Sequence, residues 1–270
     1  MLTTRIVSAA VAIAILVPIL VFGRVHGVAV LVAILSGVAV WELTRHIPCL
    51  KGTLPLVLNL ALGVALVTAL YVAPFVAVPA VLVGFPLLVL ILHLFLYNVI
   101  ETTVESSAFT IFVLSYAVAP LGHAILLAKL DMGIAWVFFV LVVISLGDAG
   151  AYFAGKYCGK HHFSQRVSPG KTIEGLVGGL AGNLAGMAIM KLVIPELPSW
   201  WIMTQIALLL AVLGPIGDLC ASAIKRRLDI KDFGSIMPGH GGILDRADSL
   251  IPAFPATYYF LVITGQSIPL

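Results

Sequence analysis

Charge is scarce in this 270-residue chain: Asp, Glu, Lys and Arg together make up 10% of it, against 61% apolar residues and a mean hydropathy of +1.15. A water-soluble globule of that composition could not cover its apolar surface, so the soluble classes are excluded. Cysteine is sparser still, with 3 residues. Cys49, Cys158 and Cys220 are odd in number and lack C-x-x-C spacing, which removes a disulfide framework and a thiolate zinc site. There is no internal repeat, against transporter architectures built on duplicated halves. No Ser-His-Asp or Cys-His arrangement stands out, so covalent catalysis by an activated nucleophile has no visible candidate.

What is present is a series of long apolar runs. A helix needs about 20 apolar residues to cross the hydrocarbon core, and about nine stretches meet that need: roughly 6–22, 25–43, 54–72, 75–96, 107–128, 133–153, 173–194, 201–223 and 247–264. The expected fold is all-α and polytopic, with residues 1–106 as a transmembrane scaffold and 107–270 as a catalytic region of the same membrane-embedded unit. The first run has a single Arg5, no small-residue cleavage site and further spans directly after it, so it reads as a retained helix, not a secretion signal. All the basic residues except Arg24, Lys129 and Lys191 fall on the side of the N-terminus. The positive-inside rule then places both long basic loops in the cytoplasm of a bacterial-type inner membrane. Nucleotides are found on that side.

Polar residues in the first half are isolated. Glu42, His46, His93 and Asn98 fall at predicted helix ends, where a side chain reaches the interface cheaply, and none is assigned to chemistry. His123 lies deeper and is expected to hydrogen-bond another helix. From Ile144 the character changes. Asp148 stands in GDAGAYFAGK among small residues, where an intramembrane carboxylate costs about 2.5–3.5 kcal/mol on insertion scales. The loop after it ends in SPGKT, Ser168 to Thr172. This is no Walker motif, since Gln165 stands where a glycine is needed. Ser168, Lys171 and Thr172 nevertheless precede a helix start, where free N–H groups and the helix dipole favour an anion. The glycines that follow, such as Gly175, Gly178, Gly179 and Gly182, are spaced for close helix packing or a dimer seam.

Gly214 to Ser249 concentrates the rest of the charge: Asp218, Asp229, Asp232, Asp245 and Asp248 among Lys225, Arg226, Arg227, Lys231 and Arg246. Asp218, Ser222 and Lys225 share one helical stripe. Asp245 and Asp248 are three apart at a helix start. If the intervening PGHGG loop brings the two helix ends together, three carboxylates meet. Two carboxylates about 4 Å apart repel by about 4 kcal/mol at an effective dielectric of 20, so the trio calls for a cation. All-oxygen ligands favour Mg²⁺, which takes one or two carboxylates plus substrate phosphates. Asp218, Asp245 and Asp248 are therefore the candidate metal ligands, for one or two divalent ions or for Mg²⁺ beside a second, different cation. Asp229, Lys231 and Asp232 read as solvated loop charges. His240 fits a phosphate contact, an acid or a turn cap, and the sequence leaves the three open.

Ser222 to Asp248, SAIKRRLDIKDFGSIMPGHGGILDRAD, closely resembles the signature of the CDP-diacylglycerol synthases, or phosphatidate cytidylyltransferases, with S-x-x-K-R, K-D, PGHGG and L-D-R-x-D all in place. GDAGAYFAGK (147–156), SPGKTIEG (168–175) and GDL (217–219) support it, so the likeness covers about the last half of the chain. Ala221 departs from the glutamate frequent there in bacterial members, which shifts weight to Asp218. The resemblance implies a polytopic, dimeric, metal-dependent enzyme that joins CTP to phosphatidic acid, giving CDP-diacylglycerol and pyrophosphate, with no nucleic-acid partner. Asp218, Asp245, Asp248 and Lys225 would carry the chemistry. Asp148, Ser168, Lys171, Thr172, Ser222, Arg226, His240 and Arg246 would bind substrate at the cytoplasmic ends of the C-terminal helices. The CDP-alcohol phosphotransferase signature D-G-x-x-A-R is absent. The reading of a different class is an ion or anion transporter that uses Asp148 and Asp218 as intramembrane sites.

Overall fold

The computed structural model describes residues 2–73, 78–96, 100–164, 166–236 and 241–266. Among these there is no β-strand, only one isolated bridge between His162 and Thr172. The helices are α1 (Leu2–Thr44), α2 (Thr53–Val72), α3 (Val78–Leu96), α4 (Ile100–Val113), α5 (Ala119–Ala128), α6 (Gly133–Cys158), α7 (Ile173–Val193), α8 (Trp200–Arg227), α9 (Leu244–Ala247) and α10 (Leu250–Ile263). A π-helical turn, Leu114–Val118, joins α4 to α5. Seven helices among the described residues are long and apolar enough to cross a membrane. The chain is an all-α polytopic membrane protein.

The first two expected spans lie within α1. Their boundary is marked by a break at Arg24 (φ 47°, ψ −134°), inside the connection that the hydropathy pattern left between residues 22 and 25. The ninth expected span corresponds to the 14-residue α10.

The chain forms two compact units. The first comprises residues 1–126 and 232–246. In it α2 packs on the second half of α1, and the buried Asn59 amide donates to the Thr44 hydroxyl at 3.3 Å. Leu43, Leu70, Leu114 and Ile125 are among its fully buried side chains. His93 lies 3.3 Å from the Thr110 hydroxyl of α4. His123 Nδ1 lies 2.8 Å from the Ala119 carbonyl of its own helix, because a ring one turn later on a helix lies over that carbonyl.

The second unit comprises residues 127–231 and 247–270. Its centre is the seam of α6 on α7. Side chains at Gly150, Gly178 or Gly182 would run into the backbone of the facing helix, so the small-residue faces are spent on each other. That answers the spacing noticed in the sequence with a contact inside one chain.

Candidate active site

Within the second unit, the loop after α6 doubles back before α7 begins. The Ile173 N–H donates to the His161 carbonyl at 2.9 Å, and Glu174, in the first turn of α7, accepts the N–H groups of Lys160 and His161 at 3.1 and 3.2 Å. The His161 ring adds a contact to the same carboxylate at 2.5 Å. An acid in a first turn is well placed against the helix dipole. Glu174 thus ties the basic loop to α7, a role the sequence reading did not assign.

Thr172 is the N-cap of α7. Its hydroxyl accepts the Gly175 N–H at 3.1 Å, and the residue is buried. The expected substrate-binding role of this hydroxyl therefore competes with a cap, the usual use of Thr at this position. Ser168 is half-buried, and its carbonyl accepts the Lys171 N–H at 3.2 Å in the turn that presents Lys171.

The Lys171 ammonium reaches across to α8 and pairs with Asp218 at 2.5 Å; the two side chains are 20% and 36% exposed. Ser222, one turn on, donates to the other oxygen of Asp218 at 3.4 Å, as the stripe of α8 predicts. Further along α8, Arg226 donates to the Val167 carbonyl at 3.4 Å, a second link between α8 and the basic loop. Two motif stretches distant in the chain, SPGKT and GDL, thereby meet side chain to side chain.

Gly217 brings the third stretch in. A Cβ there would overlap the carbonyl of Asp248 and the ring of Pro252, so only glycine lets the entry to α10 lie this close to α8. The Asp248 carboxyl is pushed up to about 7, first by burial and then by the negative charges of Asp218 and Asp148; the Ser249 N–H and Lys225 pull it down. Asp218 and Asp148 thus both lie within electrostatic reach of Asp248, with Lys225 also near it and Lys171 paired to Asp218. Asp229, Lys231 and Asp232 are exposed, as expected of solvated loop charges.

Asp245 belongs to the first unit. It is buried, and its Oδ2 accepts the N–H groups of Phe233 and Gly242 at 2.8 and 3.0 Å. Arg246 beside it is exposed. His240 lies outside the described residues. Glu42, left without a role by the sequence, is fully buried against this segment. Its two oxygens accept the N–H groups of Ile243 and Leu244 at 3.0 and 2.9 Å. The available signal was an acid in the last turn of an apolar helix, where the dipole disfavours it.

Among the described residues, no three His, Cys, Asp or Glu side chains stand together ready to hold a metal ion. The donors of the second unit still suit a hard cation. Asp218 and Asp248 carry carboxylate oxygens whose mutual repulsion a cation would relieve, and Mg²⁺ commonly takes only one or two carboxylates. Between α7 and α8 lies an apolar cavity of about 480 Å³, lined among others by Phe163, Val177, Leu180, Leu208, Val212 and Leu219. Leu219 is the neighbour of Asp218, while Val177 and Val212 are exposed at its outer side.

A bundle of membrane-spanning helices with acids and lysines gathered at one place defines an integral membrane protein with a charged site in an otherwise apolar chain. The chain belongs to the Cytidylyltransferase family, whose profile matches residues 3–264. It is similar to a phosphatidate cytidylyltransferase of Bacillus subtilis (strain 168), 46% identical over 132 residues, 48% of this chain and 49% of that one. Proteins of the same name from Staphylococcus saprophyticus and Staphylococcus haemolyticus are 37% and 36% identical over 149 residues, 55% of this chain and 57% of theirs. The matched stretch spans about half the length of these relatives.

Proposed function

We propose that this protein is a phosphatidate cytidylyltransferase: it joins CTP to phosphatidic acid, giving CDP-diacylglycerol and pyrophosphate. The observation that carries this reading is the Lys171–Asp218 pair, which brings two of the family-like motif stretches to one point beside Asp248. Such a pair can exchange partners when phosphates arrive, Lys171 passing from Asp218 to a phosphate oxygen.

In the reaction, an oxygen of the lipid phosphate forms a bond to the α-phosphorus of CTP, and the bond from that phosphorus to the β-phosphate oxygen breaks, releasing pyrophosphate. The lipid phosphate is already ionised at neutral pH, so no general base is required. Neutralisation of charge is what remains to be supplied. Lys171, Lys225 and Arg226 provide fixed positive charge, with Ser222 orienting Asp218. Asp218 and Asp248 would hold Mg²⁺, and Asp245 joins that proposal through its spacing in L-D-R-x-D. Bound there, the ion would offset phosphate charge and favour departure of pyrophosphate. The apolar cavity between α7 and α8 suits an acyl chain whose headgroup lies toward Lys171. The basic loops would face the cytoplasm of the inner membrane. A homodimer rests on the resemblance alone, because the glycine faces of α7 are taken up by α6.

The test is the purified protein with CTP, phosphatidic acid and Mg²⁺. Pyrophosphate should appear only when all three are present. Release that persists in excess chelator would overturn the metal role. Ion uptake into sealed vesicles without CTP turnover would replace the enzyme by a transporter.

A further inference from the structure

We infer that Glu42 is a positioning residue for the reaction proposed above, acting through Asp245 from the far end of the sequence. It lies in the last turn of α1, is wholly buried, and has both oxygens engaged: Oε1 by the Ile243 N–H and Oε2 by the Leu244 N–H. A carboxylate in the last turn of a helix is opposed by that helix's dipole, and a buried one is costly unless it is hydrogen-bonded. The two N–H groups at the start of α9 supply that compensation, and in return the carboxylate fixes where α9 starts.

The same segment is held a second time. Arg45 donates to the Phe233 carbonyl at 2.7 Å, and His46 Nε2 lies 3.1 Å from that oxygen. The N–H of Phe233 donates to Asp245, which also accepts from Gly242. The bonds therefore run in a ring from Glu42 through α9 and Asp245 to Phe233 and back to α1. The direction of the Asp245 carboxylate is set by it.

Two signature glycines are explained by this contact. A Cβ at Gly234 would overlap the Glu42 carboxylate, and one at Gly242 would lie 2.5 Å from both of its oxygens. Gly242 is thus glycine to make room for Glu42. The size relation predicts a rescue: shortening the acid should make room for a methyl group.

The inference rests on the cytidylyltransferase reading, and the experiment separates the two. Turnover per folded molecule, apparent Mg²⁺ requirement and amide hydrogen exchange at residues 243 and 244 are measured for the intact protein and for Glu42→Gln, Glu42→Asp, Gly242→Ala and Glu42→Asp/Gly242→Ala. Removing an outer-shell partner commonly costs about 10–100-fold. Glu42→Gln should lose that much kcat and need more Mg²⁺, with KM for phosphatidic acid within about twofold and faster exchange at 243 and 244. The double variant should exceed Gly242→Ala alone in kcat. A Glu42→Gln protein with unchanged kcat and Mg²⁺ requirement overturns the inference, even if its exchange is faster. So does a double variant no better than Gly242→Ala, which decides the matter if Glu42→Gln does not fold. An intact protein without CTP turnover would instead sink the reading beneath, leaving only the exchange result to describe Glu42.

Discussion

Asp218 and Asp245 are held in opposite ways. Asp218 is 36% exposed at the side chain and is engaged by two other side chains, Lys171 and Ser222. Asp245 is 7% exposed and is engaged by the backbone N–H groups of Phe233 and Gly242. Side-chain partners on a partly solvated acid can be traded for phosphate or cation at modest cost. Backbone donors around a buried acid cannot leave without moving the chain. The first arrangement suits exchange of charge during turnover, and the second suits fixed geometry.

The largest effect should come from removing ligand charge on the exchanging side. Asp218→Asn or Asp248→Asn keeps shape and should lower turnover by roughly 100-fold or more, since metal-held charge stabilisation amounts to several kcal/mol. Pyrophosphate release by folded protein measures this, and near-normal rates would return both acids to a salt-bridge role. Next comes Lys171. A hydrogen bond to a charged group is worth about 1.5–3 kcal/mol, so Lys171→Ala should lose about 10–100-fold in kcat/KM for CTP. Lys171→Arg should be intermediate, because the charge is kept while the compact ammonium is replaced by a planar fork. Unchanged kinetics in Lys171→Ala would leave the loop as an ordinary basic anchor.

A smaller effect is expected on stability against pH. The Asp248 carboxyl stands at about 7 in the folded protein against its ordinary 3.8. Between about pH 4 and pH 7 the folded state therefore holds more protons than the unfolded one, and stability declines as pH rises through that window. Thermal unfolding of chelator-treated protein should show that decline, with Asp248→Asn flattening it. A profile as steep in the variant as in the parent would place the titration elsewhere. The smallest change in activity should come from Thr172→Ala. Loss of the cap costs about 1 kcal/mol, seen as a lower unfolding temperature with kcat within about twofold. A large fall in kcat with unchanged stability would restore Thr172 to substrate binding.

The membrane class, the positions of the long helices, the stripe of Asp218 with Ser222 and the family-like signature were all legible in the chain. Each depends on composition or on spacing within one helix, and such regularities are local. Even the break at Arg24 fell where hydropathy left a gap. Tertiary structure alone decided that Lys171 pairs with Asp218 and that the α7 glycines meet α6. It alone decided that Glu42 belongs with Gly242. The reason is physical: a buried polar group must find its partners, and which partners come within 3 Å depends on packing between segments hundreds of atoms apart along the chain. An isolated acid at the end of an apolar helix announces that a partner is needed, and only the folded chain supplies it.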